Sequence, residues 1–163
     1  GGYMPMAATL TTDPVFDSFL GDYKDFRSFF HGHSFTGNQI AASASLASLE
    51  ILSGRQSANN RRRVQRTLKT ELRQLWELPQ IGDIRQVGNV VGIELVKNWH
   101  KREPFPPGEQ AGIRVCRALA ARGVLTRPIG NVIVLMPPYC TTNAQLKQLV
   151  AALYDSISAE LPQ

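Results

Sequence analysis

His31-Gly32-His33-Ser34-Phe35-Thr36-Gly37-Asn38 organises this chain. Eight positions hold two glycines, two hydroxyls and two imidazoles, and an alanine- and serine-rich helix, Gln39 to Leu52, follows at once. Free N–H groups and the positive end of the macrodipole make a helix N-terminus receptive to anions. Glycine lets a ligand approach the backbone, and a serine or threonine hydroxyl adds a directed hydrogen bond. A phosphate suits such a segment. From spacing alone the simpler account, an ordinary N-cap at Asn38 or Thr36 with nothing bound, comes first, because a lone glycine-rich cap is a weak signal.

Around this stretch the chain has the balance of a globular protein. Its 163 residues are 43% hydrophobic and 19% charged, with a net charge of +5, and a chain of this length buries roughly 70% of its unfolded surface. The mild positive charge favours anionic ligands without arguing for nucleic acid. Cys116 and Cys140 make no C-x-x-C and no disulfide framework, so a reduced, cytoplasmic setting is expected. No apolar run is long enough to span a membrane, and no secretory signal is present. Gly1-Gly2 leads straight into an apolar run without an initiating methionine, which reads as a cut inside a larger protein.

Before the motif, Tyr3 to Thr12 reads as a buried strand between Gly-Gly and Asp13-Pro14. A short helix capped by Thr12 or Asp13, with Pro14 at its first position, runs to Leu20. Gly21 to Phe30 is a connector whose Phe26, Phe29 and Phe30 suit core or subunit-interface packing. Beyond the motif, Ser53-Gly54 ends the alanine-rich helix. Val64, Leu68, Leu72 and Leu75 then mark one face of a long helix over 57–76. Arg61, Arg62, Arg63, Arg66 and Arg73 sit mostly off that face, as a solvated surface would. Gly88-Asn89 predicts a hairpin between 84–87 and 90–96. Residues 98–107 read as an exposed loop, and 108–122 as a helix with Ile113, Cys116, Leu119 and Ala120 inward. Two strands, 124–127 and 132–136, flank a Pro128-to-Asn131 turn. Thr142 with Gln145 is a capping-box pair opening a last helix that buries Leu146, Leu149, Val150, Leu153 and Ile157. The order is strand–helix–loop–helix–long helix, then ββ–α–ββ–α, with a boundary near Ser53.

Three separated stretches, in order, resemble the class III (omega-type) pyridoxal-phosphate aminotransferases. His31 to Asn38 is similar to that family's H-x-x-T-x-x-G-N segment. Gly1 to Thr12 is similar to the strand that follows its Schiff-base lysine. Val124 to Tyr139 is similar to its C-terminal segment for the substrate carboxylate. The fold class implied is α/β: the C-terminal part of a fold-type I pyridoxal-phosphate-dependent transferase, with residues 1–53 ending the large cofactor domain and 54–163 forming the small C-terminal α/β domain.

The resemblance also implies roles. His33 and Ser34 occupy the cofactor-phosphate positions, in a dimer whose cofactor is held mainly by the other subunit, and Gly32 lies beside the substrate. Ser34 replaces the usual threonine, keeping the hydroxyl but losing the methyl that fixes its rotamer. His31 and His33 are an unfavoured metal pair, since no third ligand follows at suitable spacing. Arg127, among Val124, Leu125 and Ile129, needs a counter-charge if buried. An ion pair with Asp or Glu would supply one; the resemblance implies a bidentate clamp on a substrate carboxylate.

The Leu135-to-Tyr139 tail is most similar to the branch acting on 8-amino-7-oxononanoate in biotin synthesis. Val134 stands where members using adenosylmethionine carry tyrosine, leaving adenosylmethionine and lysine open as amino donors. No catalytic residue is expected here: the cofactor-bearing lysine falls ahead of Gly1, and Lys24, Lys69, Lys97, Lys101 and Lys147 lie in other contexts. The chain would then need its N-terminal half to act. Two other readings are an omega-aminotransferase for ornithine, 4-aminobutyrate or a diamine, and a non-catalytic dimerisation or interaction module.

Overall fold

The computed structural model describes residues 3–161. The chain divides into two compact units, residues 1–54 and 55–163.

The first unit carries two helices, α1 (Asp13–Asp17) and α2 (Gln39–Ser53), joined through a single 3-10 turn at Tyr23–Asp25. Residues 5–12 form no strand, and Tyr3 to Thr12 are exposed, Leu10 at 92%. A strand needs a hydrogen-bonding neighbour, and no strand occurs among the described residues of this unit to supply one. Helix α1 stops at Asp17, short of the expected Leu20; Thr12 caps it by backbone geometry alone, and Ser18 Oγ donates to the Val15 carbonyl. Phe26, Phe29 and Phe30 lie on the surface, not in a core, although Phe19–Phe29 and Phe26–Phe30 rings meet. Ala41 is the buried apolar residue of this unit among those described.

The second unit is a two-layer α/β fold. Helix α3 (Arg55–Glu71) continues into a 3-10 segment, Leu72–Glu77. The predicted stripe Val64, Leu68, Leu72 and Leu75 is buried throughout. Pro79 follows, and β1 (Ile81–Val87) pairs antiparallel with β2 (Val90–Asn98) across Gly88-Asn89. The region read as a loop contains β3 (Glu103–Pro104), paired with β2, and a buried Phe105. Helix α4 (Ala111–Ala121) follows, then β4 (Pro128–Ile129), β5 (Val132–Leu135) and α5 (Asn143–Glu160). The strand order is β1-β2-β5-β4. Val91, Ile93 and Leu95 alternate inward along β2 and meet Ile133 and Leu135 of β5. Helices α3, α4 and α5 cover that face with Val64, Leu68, Val115, Leu119, Leu146, Val150, Leu153 and Ile157. Leu149 is half-buried at its edge.

Two expectations shift within this unit. Helix α4 turns inward Ala111, Gly112, Val115, Cys116 and Leu119, leaving Ile113 and Ala120 exposed. The reason is Gly112: an added Cβ there would lie 2.4 Å from the Gly130 carbonyl and 2.8 Å from Pro128 Cβ. Glycine lets α4 sit directly on the β4–β5 hairpin, and that contact fixes its rotation. Residues 124–127 are not a strand; pairing begins at Pro128, so the turn is Gly130-Asn131, with Gly130 at φ +58. A two-residue hairpin turn needs that left-handed backbone, which glycine adopts without strain. Pro128 stands inside the short strand and not at the turn's first central position.

Candidate functional site

Gly32, His33 and Ser34 lie in one exposed turn of the first unit, and its own side chains shape it. The Thr36 N–H donates to the His33 carbonyl at 3.0 Å, and the His33 N–H to Thr36 Oγ1 at 3.1 Å. The Phe35 N–H donates to His33 Nδ1 at 3.1 Å, so that imidazole carries its proton on Nε2. Asn38 is the N-cap of α2, its Oδ1 accepting from the Ala41 N–H at 3.0 Å. The cap reading of Asn38 therefore holds, and the anion-receptive groups sit ahead of it, in the turn.

Three donors there have no partner among the described residues: the Gly32 N–H, the Ser34 N–H and the Ser34 hydroxyl. Nor does the chain's own packing require glycine at 32. A Cβ there would meet only Thr36 Oγ1, at 3.9 Å, an ordinary contact. An open backbone beside unspent donors fits a phosphate monoester, which is close to dianionic near neutral pH. Donors of this kind are compatible with the phosphate of pyridoxal phosphate, the cofactor that the resemblance implies. His33 contributes by holding the Phe35 amide, a structural duty that its spacing did not reveal. Residues 4–7, Thr9 and most of 31–38 border a cleft of about 840 Å³; Ser34 is exposed and does not line it.

Arg127 belongs to the second unit. Its backbone carbonyl accepts from the Val134 N–H at 3.5 Å, and the Thr126 hydroxyl donates to the Val134 carbonyl, so residues 126–127 are tied alongside β5. The Arg127 side chain is exposed and makes no hydrogen bond or ion pair with the described residues. The alternative reading of Arg127, a buried arginine ion-paired with Asp or Glu, is not found among the described residues. Leu125, one of the apolar flanks that suggested burial, is 91% exposed. The guanidinium is instead an unspent bidentate donor. Val134 is half-buried on β5, opposite Gly92 of β2.

Cys116 is buried, and burial pushes its thiol above its ordinary value. Among the described residues, no helix is long and apolar enough to cross a membrane, and no group of three or more His, Cys, Asp or Glu side chains is placed to hold a metal ion.

Known proteins share this sequence and fold. The aminotransferase class-III family model matches residues 1–157. Adenosylmethionine-8-amino-7-oxononanoate aminotransferase of Methanocaldococcus jannaschii is 46% identical over 157 residues, covering 96% of this chain and 34% of the relative. The enzyme of the same name from Nitratidesulfovibrio vulgaris is 48% identical over 160 residues, covering 98% and 29%. The crystal structure of the Methanocaldococcus jannaschii enzyme superposes with a TM-score of 0.88 at 45% identity, covering 97% of this chain and 36% of that one. A transaminase from the marine bacterium Virgibacillus gives 0.86 at 28% identity, covering 98% and 37%. The chain spans about a third of the length of the curated relatives it matches. Its fold is that of part of a fold-type I pyridoxal-phosphate transaminase. The chain belongs to the class-III aminotransferase family.

Proposed function

We propose that this chain is the C-terminal part of an aminotransferase that converts 8-amino-7-oxononanoate to 7,8-diaminononanoate in biotin biosynthesis, with pyridoxal phosphate as cofactor. The observation that carries the reading is the identity of 46–48% along nearly the whole chain to relatives named for that substrate. In this reading residues 1–53 complete the large cofactor domain, and 54–163 are the small domain. The cofactor-bearing lysine comes from a segment ahead of these residues.

When bound, the cofactor supplies the electron sink that lets an amino group change carrier. The residues of this chain position its partners. The Ser34 hydroxyl, with the Gly32 and Ser34 amides, holds the phosphate. An exposed Ser34 outside the cleft of its own chain suits a cofactor held mainly by the second subunit of a homodimer. Arg127 grips the substrate carboxylate with two parallel hydrogen bonds, and a fixed far end aligns the reacting amine. Val134 offers a donor substrate no hydrogen bond from its side chain, so lysine stands beside adenosylmethionine as the amino donor. The enzyme works in the cytoplasm.

Co-purification of the chain with its complementary N-terminal segment tests the reading. The expected result is a complex with the visible absorbance of bound cofactor, consuming 8-amino-7-oxononanoate with adenosylmethionine or lysine. Two folded segments that neither associate nor bind cofactor would contradict it, and would favour a non-catalytic module. A complex active on ornithine, 4-aminobutyrate or a diamine instead would keep the family and change the substrate.

A further inference from the structure

The surface of α3 and of the 3-10 segment after it, opposite the core, carries a row of cations without counter-ions among the described residues. Arg62, Arg66, Lys69 and Arg73 succeed one another at steps of four, three and four, which places them on one helical face over about 16 Å. All four are exposed, and none makes an ion pair with a described carboxylate. Like charges at these spacings repel and weaken the helix that carries them. In the same unit Arg85 meets Asp83 and Glu94, and Lys97 meets Glu109, so carboxylates lie within reach of some cations but not of this row.

The next step of three along the row reaches Trp76, 50% exposed. The chain fold brings Trp99, 53% exposed and in edge contact with His100, to a shallow cleft that Trp76 also borders. Trp99 falls within residues 98–107, read as an exposed loop; the fold sets it beside Trp76 at the aromatic end of the basic row. Arginine and tryptophan are the residues that concentrate binding energy at protein interfaces. Glu77 borders the same cleft. A uniform polyanion meets a repelling carboxylate there, whereas a polypeptide can change from acidic to apolar at that point.

We infer that this face docks an acidic amphipathic helix of a partner protein, its carboxylates meeting Arg62, Arg66, Lys69 and Arg73 and an apolar side chain beyond them seated between Trp76 and Trp99. Nothing in the aminotransferase reading requires such a partner.

The test titrates the full chain with a synthetic helical peptide carrying glutamates at the same four-three-four spacing and a leucine three positions further on. Calorimetry and tryptophan emission follow binding. The expected result is saturable binding with a blue shift in emission. Affinity should weaken by at least about tenfold between about 0.1 M and 1 M salt, where the screening length falls from about 10 Å to 3 Å. The Arg62→Glu/Arg66→Glu/Arg73→Glu variant should lose binding. Trp99→Ala should weaken it by about tenfold without changing the salt dependence. Circular dichroism of each variant checks that the fold survives, and Arg→Gln replacements serve if charge reversal unfolds it. Equal binding of a scrambled peptide of the same composition would overturn the proposal, as would tighter binding of a single-stranded oligonucleotide. Loss of peptide binding once the complementary N-terminal segment is attached would also overturn it.

Discussion

At the scale of single residues, the proposed function rests on groups that the chain itself leaves without partners. Arg127 is exposed, tied by its backbone to β5, and free at its guanidinium. Lysine keeps the charge but loses the planar fork. In the complete enzyme, Arg127→Lys should lower kcat/KM for 8-amino-7-oxononanoate by roughly ten- to a hundredfold; steady-state kinetics with that substrate varied checks this. Gly112 tests packing. A methyl group there would sit 2.4 Å from a backbone oxygen that cannot swing away, so Gly112→Ala should cost about 1–3 kcal/mol in urea unfolding. Cys116 tests pH linkage. Its thiol is raised by burial, so between its unfolded value, about 8.5, and its folded one the unfolded chain releases a proton that the folded chain keeps. Its contribution is intact below the unfolded value, and stability falls as pH climbs through the window. Cys116→Ala should remove that part of the alkaline loss, read as urea-derived stability against pH.

At the scale of elements, what sequence made legible is what local chemistry determines. The α3 stripe, the Gly88-Asn89 hairpin and the Thr142–Gln145 capping box all appear where their residues predict. Each depends on neighbours a few positions away. Thr142→Ala should therefore cost about 1 kcal/mol, measurable by thermal or urea unfolding. The misread elements depend on distant partners. Tyr3 to Thr12 has strand composition but no strand beside it. Residues 124–127 have strand composition too, yet the register of β4 on β5 starts pairing at Pro128. The face of α4 is set by Gly112 against the hairpin, one position away from where apolar periodicity puts it. In the candidate site, hydroxyl and glycine were legible as an anion-receptive pair. That His33 shapes the turn, and that Arg127 has no internal counter-charge, depend on three-dimensional neighbours. The C-terminal end of α5 shows the same dependence: Arg114 Nη2 donates to the Glu160 carbonyl at 2.7 Å, and the Gln80 side-chain amide donates to the Leu161 carbonyl. These residues, 46 and 81 positions away, satisfy carbonyls that the helix leaves open.

At the scale of the whole molecule, the two units differ in what holds them. Residues 55–161 share a continuous core of more than twenty buried side chains. In residues 3–54 Ala41 is the buried apolar residue, and large side chains such as Tyr23, Phe30 and Ile40 face outward. Opening free energy follows buried apolar contact, so hydrogen exchange on the isolated chain should be slow within α3, α5 and the sheet and fast before Arg55. A surface of this kind, in a chain a third as long as its relatives, supports the proposal that it is covered in a larger enzyme by the complementary segment and a second subunit. The turn at 32–34 is then where this chain completes a cofactor site. Equilibrium titration of that complete enzyme with pyridoxal phosphate, and in parallel with pyridoxal lacking the phosphate, examines this most directly. Ser34→Ala should weaken the phosphorylated cofactor by about ten- to a hundredfold, the worth of about 1.5–3 kcal/mol for a hydrogen bond to a charged group. Ser34→Thr should leave it unchanged, and neither should alter pyridoxal. Equal weakening of both ligands, or none, would contradict a phosphate held by Ser34.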